Sequence, residues 1–173
     1  MPATEPVPTL ELLAPHDGAG VEIGAVRVLG RTRPGAVVAV NGAPVSISAD
    51  GVFQHDLYLE SGENLIEVVA TDLSGETEIQ HRGVFFVSST TGTPLSIFYP
   101  VDGLLVVDPT VQVIGGTRLD AVVGVNGKPV SVNEMGIFSA TVLLEEGFNL
   151  IEVVAVDIQQ NVNFQTVAVF YEQ

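Results

Sequence analysis

The chain carries nearly the same text twice, about 85 residues apart. Leu10 to Phe86 aligns on Leu95 to Tyr171 without a gap, and about 35 of roughly 77 positions are identical. Val-Asn-Gly-Ala-Pro-Val-Ser from Val40 returns as Val-Asn-Gly-Lys-Pro-Val-Ser from Val125. A repeat of that length is a whole small domain rather than one turn of a solenoid. The 173 residues therefore divide into two units of about 80 residues each. Units that small bury only about 60–65% of their unfolded surface, so each needs a dense apolar core. The 46% of hydrophobic residues, rich in Val, Ile and Leu, supply one.

Charge excludes several partners. Six basic residues stand against 21 acidic ones, for a formal net charge of −15. A polyphosphate would be repelled, so no nucleic-acid partner is expected, and an anionic membrane is disfavoured for the same reason. No apolar run approaches the roughly 18 residues of a membrane span, and no signal peptide is visible. Cysteine is absent, which rules out disulfides and thiol chemistry. The opening Met1-Pro-Ala-Thr-Glu-Pro-Val-Pro reads as a Pro/Thr-rich linker, so the chain is expected to be cut from a longer secreted protein.

Strand and turn signals alternate about every 8–12 residues, with no helical period. In repeat one, strands are expected at Thr9–Leu13, Val26–Gly30, Ala36–Val40, Val45–Ile47, Val52–Leu59, Leu65–Thr71 and Glu78–Val87. Asn41-Gly42 is the strongest hairpin signal, because both central residues of a type I′ turn need positive φ. Leu65–Thr71 is the most apolar strand and is expected to be central. Repeat two copies the plan, with its hairpin at Asn126-Gly127 and its last strand at about Asn163–Tyr171. The fold class is all-β: two tandem immunoglobulin-like antiparallel sandwiches of seven to eight strands each, at 9–87 and 95–173, joined by a polar linker at 88–94. The inner faces are assigned to Val26, Val28, Val40, Phe53, Ile66, Val68 and Ala70 and their copies.

The motif order carries a resemblance. Pro15-x-Asp17-Gly18, Val26-x-Val28-x-Gly30-x-Thr32, Val40-Asn41-Gly42, Gly51-x-Phe53 and Leu59-x-x-Gly62-x-Asn64-x-Ile66-x-Val68-x-Ala70-x-Asp72 recur from Pro100 to Asp157. This run resembles the bacterial immunoglobulin-like domains of the glucodextranase B-like type, over nearly the whole chain. Where family members follow the last Asp with a Gly-Asn turn, this chain has Leu73-Ser-Gly-Glu76 and Ile158-Gln-Gln-Asn161. The resemblance implies an extracellular or cell-surface sandwich acting as a spacer, adhesion or accessory module, and it implies no catalysis.

Candidate chemistry is sparse. His16, His55 and His81 all lie in repeat one, and repeat two keeps the pattern without them, so they are not needed for folding. No Gly-x-Ser-x-Gly elbow surrounds any serine. A single small sandwich is expected to offer no cleft for a pair of catalytic carboxylates. Calcium is the one cofactor the acidic turns suggest, through Asp17, Asp50, Asp72, Asp102, Asp108, Asp120 and Asp157. The competing reading is that Asp in turns bonds its own backbone. Lys128 is the only lysine, so an isopeptide crosslink is impossible in repeat one. Trp is absent and most Phe are assigned to the core. Phe148 is the exception: it replaces Glu63 in Glu145-Glu-Gly-Phe-Asn and is the one candidate partner contact.

The expected function is therefore a non-enzymatic spacer or adhesion-type pair in a larger secreted or cell-surface bacterial protein. Its expected partners are neighbouring domains of a longer chain. The alternative is an accessory module binding a carbohydrate or protein ligand. The pair is expected to be monomeric, with the short linker setting its reach and angle. Strand direction places the Gly-x-Asn turn of repeat one towards repeat two, and that of repeat two, with Phe148, facing away.

Overall fold

The computed structural model describes residues 10–88 and 92–173. The opening segment read as a linker, and most of Ser88–Thr91, lie outside them. Each repeat folds into eight strands. Repeat one runs β1 (Leu10–Ala14), β2 (Ala19–Val21), β3 (Ala25–Thr32), β4 (Val37–Val40), β5 (Ala43–Val45), β6 (Val52–Tyr58), β7 (Gly62–Thr71) and β8 (Thr77–Phe86). Repeat two runs β9 (Leu95–Tyr99), β10 (Leu104–Val106), β11 (Thr110–Thr117), β12 (Val122–Val125), β13 (Lys128–Val130), β14 (Ile137–Leu143), β15 (Gly147–Val156) and β16 (Val162–Tyr171). The short β2 and β10 were not expected from sequence.

A three-stranded sheet, β1-β3-β6, faces a five-stranded one, β2-β8-β7-β4-β5. Repeat two builds the same pair from β9-β11-β14 and β10-β16-β15-β12-β13. The apolar strand β7 is central, as its composition required. Every position assigned to the inner faces is buried in both copies. Phe53 and Phe138 anchor the two cores, each over a glycine. A Cβ on Gly115 would meet Phe138 Cζ at 2.3 Å, and one on Gly30 would meet Phe53 Cζ at 2.3 Å. Only hydrogen fits between those rings and the strands beneath them.

The repeated turns have local causes. Asn41 and Asn126 take φ of 47° and 46°, as a type I′ hairpin demands. Their Oδ1 atoms accept the backbone N–H of Glu67 and Glu152 at 2.8 and 2.9 Å, tying each hairpin to the central strand. Asn64 and Asn149 close the turn before that strand by accepting from the N–H, and donating to the C=O, of Glu60 and Glu145.

The two repeats do not meet end to end across a linker. They pack through the outer faces of their three-stranded sheets, so four sheets lie in layers of five, three, three and five strands. The cause is apolar side chains on both faces of β3 and β11. Leu29 and Ile114 point away from their own cores yet are 4% and 0% exposed. Phe98, Ile114 and Ile137 of repeat two belong to the same continuous cluster as Leu29 and Ile23 of repeat one. Gln54 donates to Gln112 at 3.0 Å across the seam, and Asn133 donates to Asp56 at 3.0 Å. Asp56 is fixed by a bidentate pair with Arg27. This hydrogen bonding holds the Arg27 guanidinium above its usual range, against the cost of burial.

The seam is reciprocal. Ile23 presses on Gly116, where a Cβ would meet Ile23 Cδ1 at 2.0 Å. The equivalent positions in the other copy are Asp108 and Arg31, and these line one cavity with Tyr99. The two faces thus meet across an approximate twofold axis, with different chemistry at its two ends. At the end of the linker, Thr93 is buried against Asp157, and Pro94 C=O accepts from Thr117 Oγ1 at 2.7 Å.

Candidate functional site

Five of the seven turn carboxylates are bonded within their own chain, while Asp50 is exposed in its turn. Asp17 Oδ1 accepts Gly83 N–H at 2.7 Å, and Asp102 Oδ1 accepts Ala168 N–H at 2.8 Å. Asp120 pairs with Arg118 at 3.0 Å. Asp72 is buried, accepts from the backbone of Ser74 and Glu76, and pairs with Arg33 at 2.7 Å. Asp108 lies apart from these, at the seam. Among the described residues, no three His, Asp or Glu side chains are gathered as a metal would require.

Asp157 shows what the final Asp of the motif does. It is 2% exposed and receives N–H groups from Gln159 and Asn161, the Asn161 amide and the Thr93 hydroxyl, all at 2.8–2.9 Å. The Asn161 side chain leads in stabilising the anion, Thr93 and the backbone donors add to it, and burial opposes them. The carboxyl is held down at about 2. A folded-state value below the unfolded one, roughly 3.9, gives stability that is present above about pH 4 and lost as pH falls through about 2. Asp157→Asn is expected to lower stability at neutral pH and to flatten that acid loss, as read by denaturant melts at a series of pH values.

The histidines do not converge. His81 Nε2 lies 3.2 Å from Glu67 Oε2 on an outer face, His55 sits on β6 and His16 in the turn after β1. Lys128 opens β13 and is exposed. The expectation of no cleft concerned one sandwich, and packing the repeats side by side adds a cleft between them. A cleft of about 390 Å³ is lined by Glu22, Ile23, Tyr58, Arg118, Glu134 and Met135, among others. Its arginine is held by Asp120.

The expectation that most Phe are core also needs correction. Phe53, Phe98 and Phe138 are buried, while Phe85, Phe148, Phe164 and Phe170 are exposed. Phe148 is not at a turn tip. It is the second residue of β15, 60% exposed, opposite Phe170 with ring centroids 5.4 Å apart in an edge-to-face contact. The alternation is inverted at the start of β16. Asn163 and Gln165 point inward and donate to the backbone C=O of Thr93 and Leu95 at 2.9 and 2.7 Å, which turns Phe164 outward. Gln80 does the same for Leu10 at 2.8 Å in repeat one. Sequence reading found Phe148 but missed Phe164, Phe170 and Leu105. Comparing outward positions between the copies would have shown Leu105, which replaces Gly20, but not Phe164 and Phe170, which stand where repeat one has Ile79 and Phe85.

A model of glucodextranase domain B matches residues 8–87 and again 93–173. Bacillopeptidase F of Bacillus subtilis (strain 168) is 31% identical over 158 residues, covering 87% of this chain and 11% of that protein. The chain therefore spans about a tenth of the length of the curated relative it matches. Among solved structures, the fibronectin(III)-like modules of Clostridium thermocellum CbhA superpose with a TM-score of 0.39 at 12% identity, over 95% of this chain and 94% of that one. The tandem Ig repeats of Dlar give 0.36 at 16% identity, over 94% and 97%. Eight strands in two facing sheets, the repeated turn chemistry and the doubled match together show that this chain belongs to the glucodextranase domain B family, in two tandem copies.

Proposed function

We propose that this pair is a non-catalytic module of a larger secreted or cell-surface protein, where it holds neighbouring domains at a fixed separation. The observation that carries this reading is the apolar seam between the three-stranded sheets. Domains in one chain move independently unless their shared interface is large and hydrophobic, and this one is continuous with the core of repeat one. The unit is therefore stiff because of packing, and the short linker has little to set. The extracellular setting is supported by the family resemblance, and the high acidic charge favours solubility.

Solution scattering on the whole chain tests it. One narrow distance distribution is expected, with a radius of gyration close to the roughly 16 Å of a compact chain of this length. A broad distribution, or the longer profile of an end-to-end pair, would overturn the rigid reading.

A second reading, an accessory module for a carbohydrate or protein ligand, draws on the exposed Phe148, Phe164 and Phe170 of repeat two. Phe148 is then a partner contact. The edge-to-face pairing of Phe148 and Phe170 gives no flat shared platform for a sugar ring, and the surrounding outward positions are mainly Val, Leu and Ala. A protein surface suits this face better. Mobility shifts in gels containing soluble polysaccharide would favour sugar instead.

A further inference from the structure

The outer face of the five-stranded sheet shares an apolar base in the two copies, Val37, Leu65, Ile79 and Phe85 matching Val122, Leu150, Phe164 and Phe170, but differs at a few positions. In repeat one it carries Glu63 and the Glu67–His81 pair. In repeat two, Phe148 stands for Glu63, Thr166 for His81, Leu105 for Gly20 and Val162 for Thr77. The changes run in one direction, towards an apolar surface, in a chain of net charge −15. Glu152 is the single charge among the outward strand positions of that sheet.

Phe148, Leu150, Phe164, Phe170, Leu105 and Val122 are between 42% and 69% exposed there. At roughly 150–250 Å² for a large side chain, they present on the order of 700 Å² of mostly apolar surface. That exceeds the roughly 300–600 Å² of the largest patch on an ordinary monomer. It approaches the roughly 800 Å² that each partner contributes to a standard interface.

From this we infer that the five-stranded face of repeat two is a self-association surface, whose partner is the same face on a second copy of the chain. Three observations select a second copy. The face has the area of one half of a stable interface. It needs a partner surface that is a sheet, apolar and almost free of charge, and its own twin is such a surface. It also lets two acidic copies approach while opposing only Glu152 among its outward strand positions. Two sheets pack face to face about 10 Å apart, and a twofold pairing closes on itself at two copies. The chain already uses such packing internally, at its seam.

Glu152 limits the affinity. It sits opposite Thr166 in the middle row of the face, between an apolar half around Phe148 and Phe170 and another around Phe164 and Val122. Covering its carboxylate has a cost, so the dimer is a weak, reversible one in place of the monomer expected from sequence. Repulsion between two acidic copies adds a salt dependence: screening tightens the dimer.

Sedimentation equilibrium on the intact chain tests this, from about 5 to about 500 µM, in about 0.05 and 0.5 M NaCl. The mass of the wild type should rise towards twice the monomer value, and more readily in high salt. Glu152→Gln should tighten association at least about threefold by removing the buried charge. Phe148→Glu installs the residue that repeat one carries at this position and should hold the chain monomeric with an unchanged melting temperature. Phe164→Glu should do the same from the other half of the face. Leu65→Glu, at the repeat-one position equivalent to Leu150, should leave the dimer intact. A wild type that stays monomeric at the highest concentration and salt overturns the proposal. So does a Phe148→Glu chain that dimerises like the wild type, or a Leu65→Glu chain that loses dimerisation.

Discussion

Phe138→Ala is expected to cost the second sandwich about 3–5 kcal/mol. The ring is 1% exposed and fills the space above Gly115, where its Cζ would lie 2.3 Å from an added Cβ. Its strand, β14, is also paired to β11 along seven positions, so the sheets cannot collapse into the void without breaking that register. A domain of about 80 residues has only about 4–12 kcal/mol to lose. The variant should therefore unfold repeat two early in a denaturant titration. Ile137, the preceding residue, lies in the seam, so loss of repeat two also strips cover from Ile23 and Leu29. Repeat one should follow at lower denaturant than in the wild type. An unchanged midpoint for repeat one would show that the seam contributes little to it.

Gly116→Val is expected to have the second large effect, and its size is informative. In an isolated strand Val is preferred over Gly, so a freely jointed pair, in which only Phe98 of the same repeat crowds the site, would lose little from the change. In the packed pair the added Cβ would lie 2.0 Å from Ile23 Cδ1 and 2.9 Å from Phe98 Cζ. Overpacking of that kind costs about 1–3 kcal/mol. One cooperative unfolding transition should separate into two, and the scattering radius should grow. Ile23→Ala placed on the same chain should restore part of the loss, because it removes the side chain that the valine strikes. A single variant that loses little, or no rescue in the double, would show that the repeats are not locked at this point.

Much of the fold was legible because the copies share the residues that shape backbone and core. Positive φ at Asn41 and Asn126, the glycines beneath Phe53 and Phe138, and alternation along β7 and β15 are local, and local chemistry can be read from a string. The seam was not read, because Val26-Arg27-Val28 and Val111-Gln112-Val113 alternate apolar and polar like a strand with one wet face. Leu29 and Ile114 are the single outward apolar residues in those runs, and one such residue does not say what covers it. The exposed Phe of β16 were misassigned for a related reason. Gln165 satisfies the C=O of Leu95 across the sandwich, and an inward Gln inverts the expected polar-out pattern. The strands β2 and β10 have three residues each and form only because β8 and β16 receive them.

Those two short strands have a mechanical consequence. Each lies near the start of its repeat and pairs parallel to the repeat's last strand. Tension applied at both ends of a repeat draws these neighbours past one another along their length. Their hydrogen bonds then bear the load together, in shear, instead of opening one by one like a zipper. A repeat loaded at its two ends therefore keeps its length until those bonds fail together.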